Sequence, residues 1–262
     1  MTAVLAIYLK HKLNFSEDTS TVIYHTFSGL CYFTPIFGAI LADQLIGKFK
    51  TILWGSLIYV IGQVILAVAA IPLVLPPVEF TMIGLFLMTV GTGGIKPCGS
   101  AFGGEQFKLP EQEKYLKTFF SVWYFTVNAG AVFSTIITPI FRQDFQCFGD
   151  ETCYPLAFGM PALLMLIAIA ILVSGKNIYV HKPPQGSVIN QVIGSIWYAT
   201  KQKFQSSKKL EHWLDHAKGK YSSQSIADTK ILLRLLVVYL TFPIYWALYK
   251  QTGSRWTFQA TR

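Results

Sequence analysis

The sequence predicts an all-α integral membrane protein, a bundle of helices crossing a bilayer about seven times. Hydrophobic residues make up 52% of the 262 positions and charged residues only 13%, about half the charged share of a soluble domain. So little charge cannot cover a soluble surface of this size. The apolar residues fall in blocks of about 20, the helix length that a hydrocarbon layer about 30 Å thick requires. The net charge of +9 gathers in short segments between these blocks, the pattern that orients helices in a bilayer. That distribution argues against a nucleic-acid partner. An aromatic content of 15% suits interfacial belts of Trp and Tyr.

The opening MTAVLAIYLKHK is apolar but short and has no signal-peptide pattern. It reads as the last turns of a helix whose beginning lies upstream. The spans that follow are His25–Leu45, Ile52–Leu73, Phe80–Phe102, Phe119–Phe141, Tyr154–Val173 and Ile231–Tyr249. The third of these is expected to be broken by glycines. This order divides the chain into a transmembrane bundle (1–175), a polar linker (176–230) and a seventh helix that starts a second bundle (231–262). Within the linker, Val188–Phe204 carries Val188, Val192, Ile196 and Trp197 at helical spacing. It reads as an amphipathic helix on the inner membrane surface, with a solvated linker as the other reading.

Alternate loops differ sharply in charge. One side collects fourteen lysines, among them Lys48, Lys50, Lys176, Lys182, Lys208 and Lys209, while the other holds only Lys10, Lys12 and Arg142. The lysine-rich side, with the long 176–230 loop, is therefore expected to be cytoplasmic. Asn14 opens a glycosylation sequon on the outer side. Cys147 and Cys153 share the polar segment CFGDETC there and are a disulfide candidate in an oxidising compartment. Cys31 and Cys98 lie in apolar stretches.

An ionisable group inside a span costs about 2.5 to 3.5 kcal/mol on insertion scales, so His25, Lys96 and Arg234 are the first functional candidates. His25 titrates near neutral pH, and Tyr32 follows two turns later on the same face. A neutral, hydrogen-bonded histidine is the other reading. Lys96 lies in GTGGIKPCGSAFGGEQF, where glycines and Pro97 are expected to open the helix around a cation that attracts an anion. Snorkelling to the cytoplasmic edge is the alternative. Tyr124 and Asn128, four apart, share a helix face; they offer a hydroxyl and an amide to a ligand or to a neighbouring helix. Arg234 requires an acid or a cavity, and Trp246 lies about 120° round the helix from it. Asp43 and Lys48, where the second span meets the cytoplasm, are expected either to lock helices together or to anchor them by charge. No nucleophile–base pair, metal-ligand cluster or phosphate loop stands out, which points away from an enzyme and from any bound metal or cofactor.

Taken together, GAILADQLIGKFKTI, GTGGIKPCGSAFGGEQF, FFSVWYFTVNAG and YWALYKQTGSRW resemble, in order and spacing, the proton-coupled oligopeptide transporters of the major facilitator superfamily. The first string is a variant of the superfamily loop motif with one extra residue between Asp43 and Gly47. The resemblance implies the N-terminal bundle of a twelve-helix fold, from the end of helix 1 through helix 7. It implies proton coupling at His25, a peptide site formed by Tyr32, Lys96, Tyr124, Asn128 and Trp246, and gating by Asp43, Lys48 and Arg234, the arginine pairing with an acid in the other half. Short peptides, protons as the coupling ion, the lipid bilayer and the C-terminal half are the implied partners, at the plasma membrane. The family's first-helix ExxER element and its second bundle are absent from the sequence, so the 262-residue chain is not expected to transport alone. Nitrate or amino acids on the same scaffold, and a non-transporting membrane partner, are the alternatives.

Overall fold

A computed structural model describes residues 2–72, 74–184, 188–205 and 210–260. Leu73, at the far end of a predicted span, and Lys208 and Lys209 lie outside the described residues. The helices are α1 (Thr2–His11), α2 (Glu17–Leu41), α3 (Lys48–Ala69), α4 (Pro77–Gly104), α5 (Glu113–Gln143), α6 (Tyr154–Ser174), α7 (Val188–Gln205), α8 (Ser223–Tyr239), α9 (Phe242–Tyr249) and α10 (Arg255–Ala260). Among the described residues six stretches are long and apolar enough to cross a membrane: Glu17–Ile46, Lys48–Ala69, Pro77–Gly104, Glu113–Gln143, Tyr154–Ser174 and Ser223–Gln259. The chain forms two compact units, Met1–Pro184 with Gln251–Arg262, and Gln185–Lys250.

In the first unit α2 starts well before the apolar block. Ser16 caps it by accepting the Thr19 N–H at 3.1 Å, and Glu17 and Asp18 complement the positive end of the helix. These polar residues carry no hydropathy signal, which is why the sequence places the start later. At its other end α2 runs into one π turn, Ala42–Ile46, a wider turn that takes up an additional residue without unwinding the helix. Gln44, Leu45 and Ile46, between Asp43 and Gly47, lie in this turn. Gly47 follows at φ +81°, a conformation that glycine alone adopts cheaply, and α3 begins at the next residue.

The predicted break in the fourth helix does not occur: α4 is continuous from Pro77 to Gly104, straight through Pro97. Its glycines serve packing instead. A Cβ on Gly84 would lie 2.8 Å from the Gly62 carbonyl oxygen, and one on Gly91 only 2.6 Å from that of Gly55. Small residues of this kind let helix backbones in lipid approach closely. Pro97 has no N–H for the carbonyl of Gly93, and that carbonyl abuts Gly38 of α2, where a Cβ would collide with it. The sequence signal was real, but it marked a seam between α2, α3 and α4.

Toward the α1 end, Tyr8, Tyr24, Leu66, Met88, Tyr154, Phe158 and Phe258 form the main buried cluster. Tyr8 lies 5.2 Å from both Tyr154 and Phe158 by ring centroid, and its hydroxyl meets Thr81 Oγ1 at 3.3 Å. The loop beside this cluster is closed by a disulfide between Cys147 and Cys153 and tied to α1 by an ion pair between Lys12 and Asp150. By contrast α5 and α6 leave Val122, Phe125, Phe133, Ile136, Leu164 and Ile171 exposed. Apolar surface so continuous is untenable in water; it fits lipid or further protein.

In the second unit α7, a 3₁₀ turn (Trp213–Ala217) and α8 bury Ala199, Leu214, Ala217 and Ile226. Asp215, 5% exposed, takes ion pairs from Lys218 at 2.9 Å and Lys230 at 3.0 Å. Those ammonium groups, Lys218 first, hold its carboxyl down at about 2. On α7 the bulky Ile193, Trp197 and Phe204 remain exposed. The last predicted span, Ile231–Tyr249, is interrupted: α8 ends at Tyr239 and α9 begins at Phe242. Pro243, at the start of α9, cannot donate to the carbonyl four residues back, so the helix is interrupted there.

Candidate functional site

The seam between α2 and α4 positions the first cluster. Lys96, near the C-terminal end of α4, crosses to α2, where its Nζ lies 3.4 Å from the Cys31 carbonyl oxygen and 4.1 Å from the centre of the Tyr32 ring. That is a cation–π geometry. Thr34 on α2 donates to the Thr89 carbonyl of α4 at 3.0 Å, which fixes the register of the two helices around the pair. Both Lys96 and Tyr32 are exposed. The arrangement presents an aromatic-backed ammonium, the kind of group that holds a carboxylate. The sequence names these two residues separately; the fold brings them into contact.

His25 lies two turns from Tyr32 along α2. Its Nε2 is 3.0 Å from Ser254 Oγ, and Ser254 is fully buried. Around this contact Tyr24 packs on His25 edge-to-face at 5.4 Å and abuts Gly253, where a Cβ would collide with its hydroxyl. Asp18 pairs with Arg255 at 2.5 Å, and Lys10 lies 5.3 Å over the Phe258 ring. Thus α1 and the first half of α2 close against the segment Gly253–Phe258. Ser254 was missed as a candidate, although it stands inside the motif YWALYKQTGSRW; a serine has no hydropathy or charge signal of its own.

At the other end of α2, Lys48 pairs with Asp43 at 3.0 Å and with Glu105 at 2.8 Å. Glu105, one residue past the end of α4, is the less exposed of the two acids. It too was missed, because the sequence pairs Lys48 only with its near neighbour Asp43. Tyr124 and Asn128 share one face of α5 and are both exposed; the Asn128 amide donates to the Tyr124 carbonyl at 2.7 Å. Arg234, in the second unit, is exposed and makes no ion pair with an acid among the described residues. Trp246 meets two rings of its own helix edge-to-face, Tyr245 at 5.6 Å and Tyr249 at 5.4 Å. Asn14 is exposed between α1 and α2 at φ +54°. No group of three or more potential metal ligands occurs among the described residues.

These features define a class: a multi-pass helical membrane protein whose apolar spans carry a small number of charged and polar side chains. The model of the POT family matches residues 49–262, and the chain belongs to that family. It is 50% identical to "Solute carrier family 15 member 2" of Homo sapiens, over all of this chain and 37% of that protein. It is 48% identical to "Peptide transporter family 1" of Drosophila melanogaster, over all of this chain and 36% of that one. The chain therefore spans just over a third of the length of these curated relatives. Among solved structures, that of the POT family transporter PepTSo superposes at a TM-score of 0.78 with 25% identity, over all of this chain and 59% of that one. Another, of a proton dependent oligopeptide (POT) family transporter, gives 0.72 with 27% identity, over 100% and 61%.

Proposed function

We propose that the full-length protein carries di- and tripeptides across the plasma membrane together with protons, by alternating access. The observation that carries this reading is the Lys96 ammonium set 4.1 Å over the Tyr32 ring, a cation retained on an apolar helix where it can meet a peptide carboxylate. Names borne by the relatives point the same way. Asn128 and Tyr124 would contribute to the peptide's other groups, Trp246 to the wall of the cavity, and Arg234 would pair with an acid of the C-terminal half. His25 would carry the coupled proton: protonating its ring turns Nε2 into an obligatory donor and changes its contact with Ser254. The lysine-rich loops, with residues 176–230, would face the cytoplasm, and Asp43, Lys48 and Glu105 would hold the inner ends of the helices in one state. An inside-negative potential would add about 2.3 kcal/mol per charge per 100 mV to inward movement.

The test is uptake of a labelled dipeptide by the full-length protein in proteoliposomes under an imposed pH gradient. Wild type should concentrate the dipeptide, unlabelled di- and tripeptides should compete, and nitrate and single amino acids should not. His25→Ala should abolish gradient-driven uptake while leaving counterflow exchange. Full gradient-driven uptake by His25→Ala removes that residue from coupling, and competition by nitrate alone assigns a different cargo.

A further inference from the structure

At the end of the first unit that carries Asp43, Lys48 and Glu105 lies a cavity of about 690 Å³. Four lysines line it, Lys48, Lys50, Lys176 and Lys182, against one acid, Glu105. That acid is already committed to Lys48 at 2.8 Å. Lys50, Lys176 and Lys182 are exposed and make no ion pair among the described residues. Like charges gathered around one concavity raise its potential and draw in counter-ions.

The cavity is built, and the chain after α6 builds it. Residues 176–184 turn back over the ends of α3 and α4 and are fastened there. Gln106 accepts the Val180 N–H at 2.7 Å and donates to the Val180 carbonyl at 3.2 Å. Tyr179 meets Phe102 edge-to-face at 5.4 Å, and His181 meets Phe49 in the same way at 5.0 Å. The His181 ring nitrogen Nε2 is also 2.9 Å from the Lys176 carbonyl oxygen. This aromatic lock sets Lys176 and Lys182 opposite Lys48 and Lys50. None of these contacts takes part in the peptide site, and of the cavity's lining only Lys48 and Glu105 also belong to the Asp43–Lys48–Glu105 pairing.

We propose that this cavity binds the phosphorylated headgroup of an acidic membrane lipid, of the phosphoinositide class. Three features select that chemistry. The surplus of three lysine charges calls for a multiply charged anion, and lysine serves phosphate as a compact point charge. The volume is in the range of small-molecule sites, large enough for a phosphorylated ring and larger than a simple ion needs. Its place at the ends of α2, α3, α4 and α6 puts it at headgroup level, where basic pockets between spans meet such lipids. The assignment rests on the reading that this end faces the cytoplasmic leaflet; it does not require that the protein transport peptides.

The experiment uses the full-length protein in phosphatidylcholine nanodiscs and a fluorescent short-chain phosphatidylinositol bisphosphate as the probe. Wild type binds it saturably. Joint replacement of Lys50, Lys176 and Lys182 by Gln weakens binding about 150-fold, since each charge contributes somewhat over fivefold at an anionic surface. Replacement of the same three by Arg retains it. Thermal unfolding of each variant reports folding, and if the triple Gln variant is unstable, Lys182→Gln alone weakens binding about fivefold. Absence of saturable binding to wild type, or equal binding by folded Gln variants, overturns the proposal. Inositol trisphosphate or inorganic phosphate competing as tightly as the lipid also overturns it, in favour of a soluble phosphate ligand. Dipeptide uptake by the same preparation in phosphatidylcholine vesicles keeps the two readings apart: its failure contradicts transport and leaves the binding result standing.

Discussion

Gly91→Ala probes whether the glycines of α4 are there for packing or for a break in the helix. A Cβ at Gly91 would stand 2.6 Å from the Gly55 carbonyl oxygen, 2.6 Å from the Tyr59 nitrogen and 2.7 Å from the Tyr59 Cβ. Ordinary contact begins at 3.4 Å, so α3 and α4 must part by about 0.8 Å. Two of the three obstacles are backbone atoms and no flexible side chain can swing clear. Overpacking of this kind costs about 1 to 3 kcal/mol, a change of about 5- to 150-fold in the folded-to-unfolded ratio. Thermal unfolding of the full-length protein reads it as a lowered midpoint. Gly29→Ala is the control, since a Cβ there meets nothing within 4 Å, and it leaves the midpoint unchanged or slightly raised. Equal midpoints for the Gly91→Ala and Gly29→Ala proteins would refute the seam.

Ser254→Ala removes the only oxygen described beside His25 Nε2 and weakens the closure of α2 on Gly253–Phe258 by about 0.5 to 1.5 kcal/mol. Amide hydrogen exchange across α10 should quicken about 2- to 12-fold, and unchanged protection would contradict the contact's role. Glu105→Gln should destabilise by about 1.5 kcal/mol, since it removes a part-buried charged partner of Lys48. Asp43→Asn should cost less than about 1 kcal/mol because that acid is half exposed; the reverse order in thermal unfolding would show that Asp43 is the stronger tie. The Asp215 carboxyl is depressed from 3.8 to about 2, so its stabilisation is complete above pH 3.8 and is lost as pH falls toward 2. Protection of the 3₁₀ turn at Trp213–Ala217 should fall over that window, and an Asp215→Asn variant should lose the dependence.

Six spans, their order and their helical type were legible in the sequence, because length and hydropathy are what a bilayer selects. The seventh crossing, counted from the opening stub, corresponds to the ten-residue α1, too short to be one of them. The ends of the spans were not legible: Ser16, Glu17 and Asp18 start α2 through capping, which leaves no apolar trace. The glycine-rich run around Lys96 was visible but ambiguous, since glycine loosens an isolated helix and tightens a packed pair. Only the positions of Gly55 and Gly62 on α3 decide between the two. Tyr32 and Lys96 were found singly, and their contact required the register that Thr34 and Thr89 set. Ser254 and Glu105 were missed for one reason: each acts through a residue distant in sequence, and neither residue type stands out where it lies. The basic cavity was equally hidden. Its lysines are spread from Lys48 to Lys182 and read as a charge that orients the helices until the chain after α6 folds back.

The account as a whole depends on Tyr32, Lys96 and Asn128 facing one water-filled chamber that admits peptide. Cysteines placed at Tyr32 and Asn128 in the full-length protein, with a charged water-soluble thiol reagent, measure that directly. Cys31 and Cys98 are buried and should react little. Both new cysteines should label, and a dipeptide should protect both, whereas a cysteine at Leu164, on the apolar surface of α6, should stay unlabelled. Labelling of Leu164→Cys with silence at Tyr32→Cys and Asn128→Cys would contradict the shared chamber and the transport reading with it.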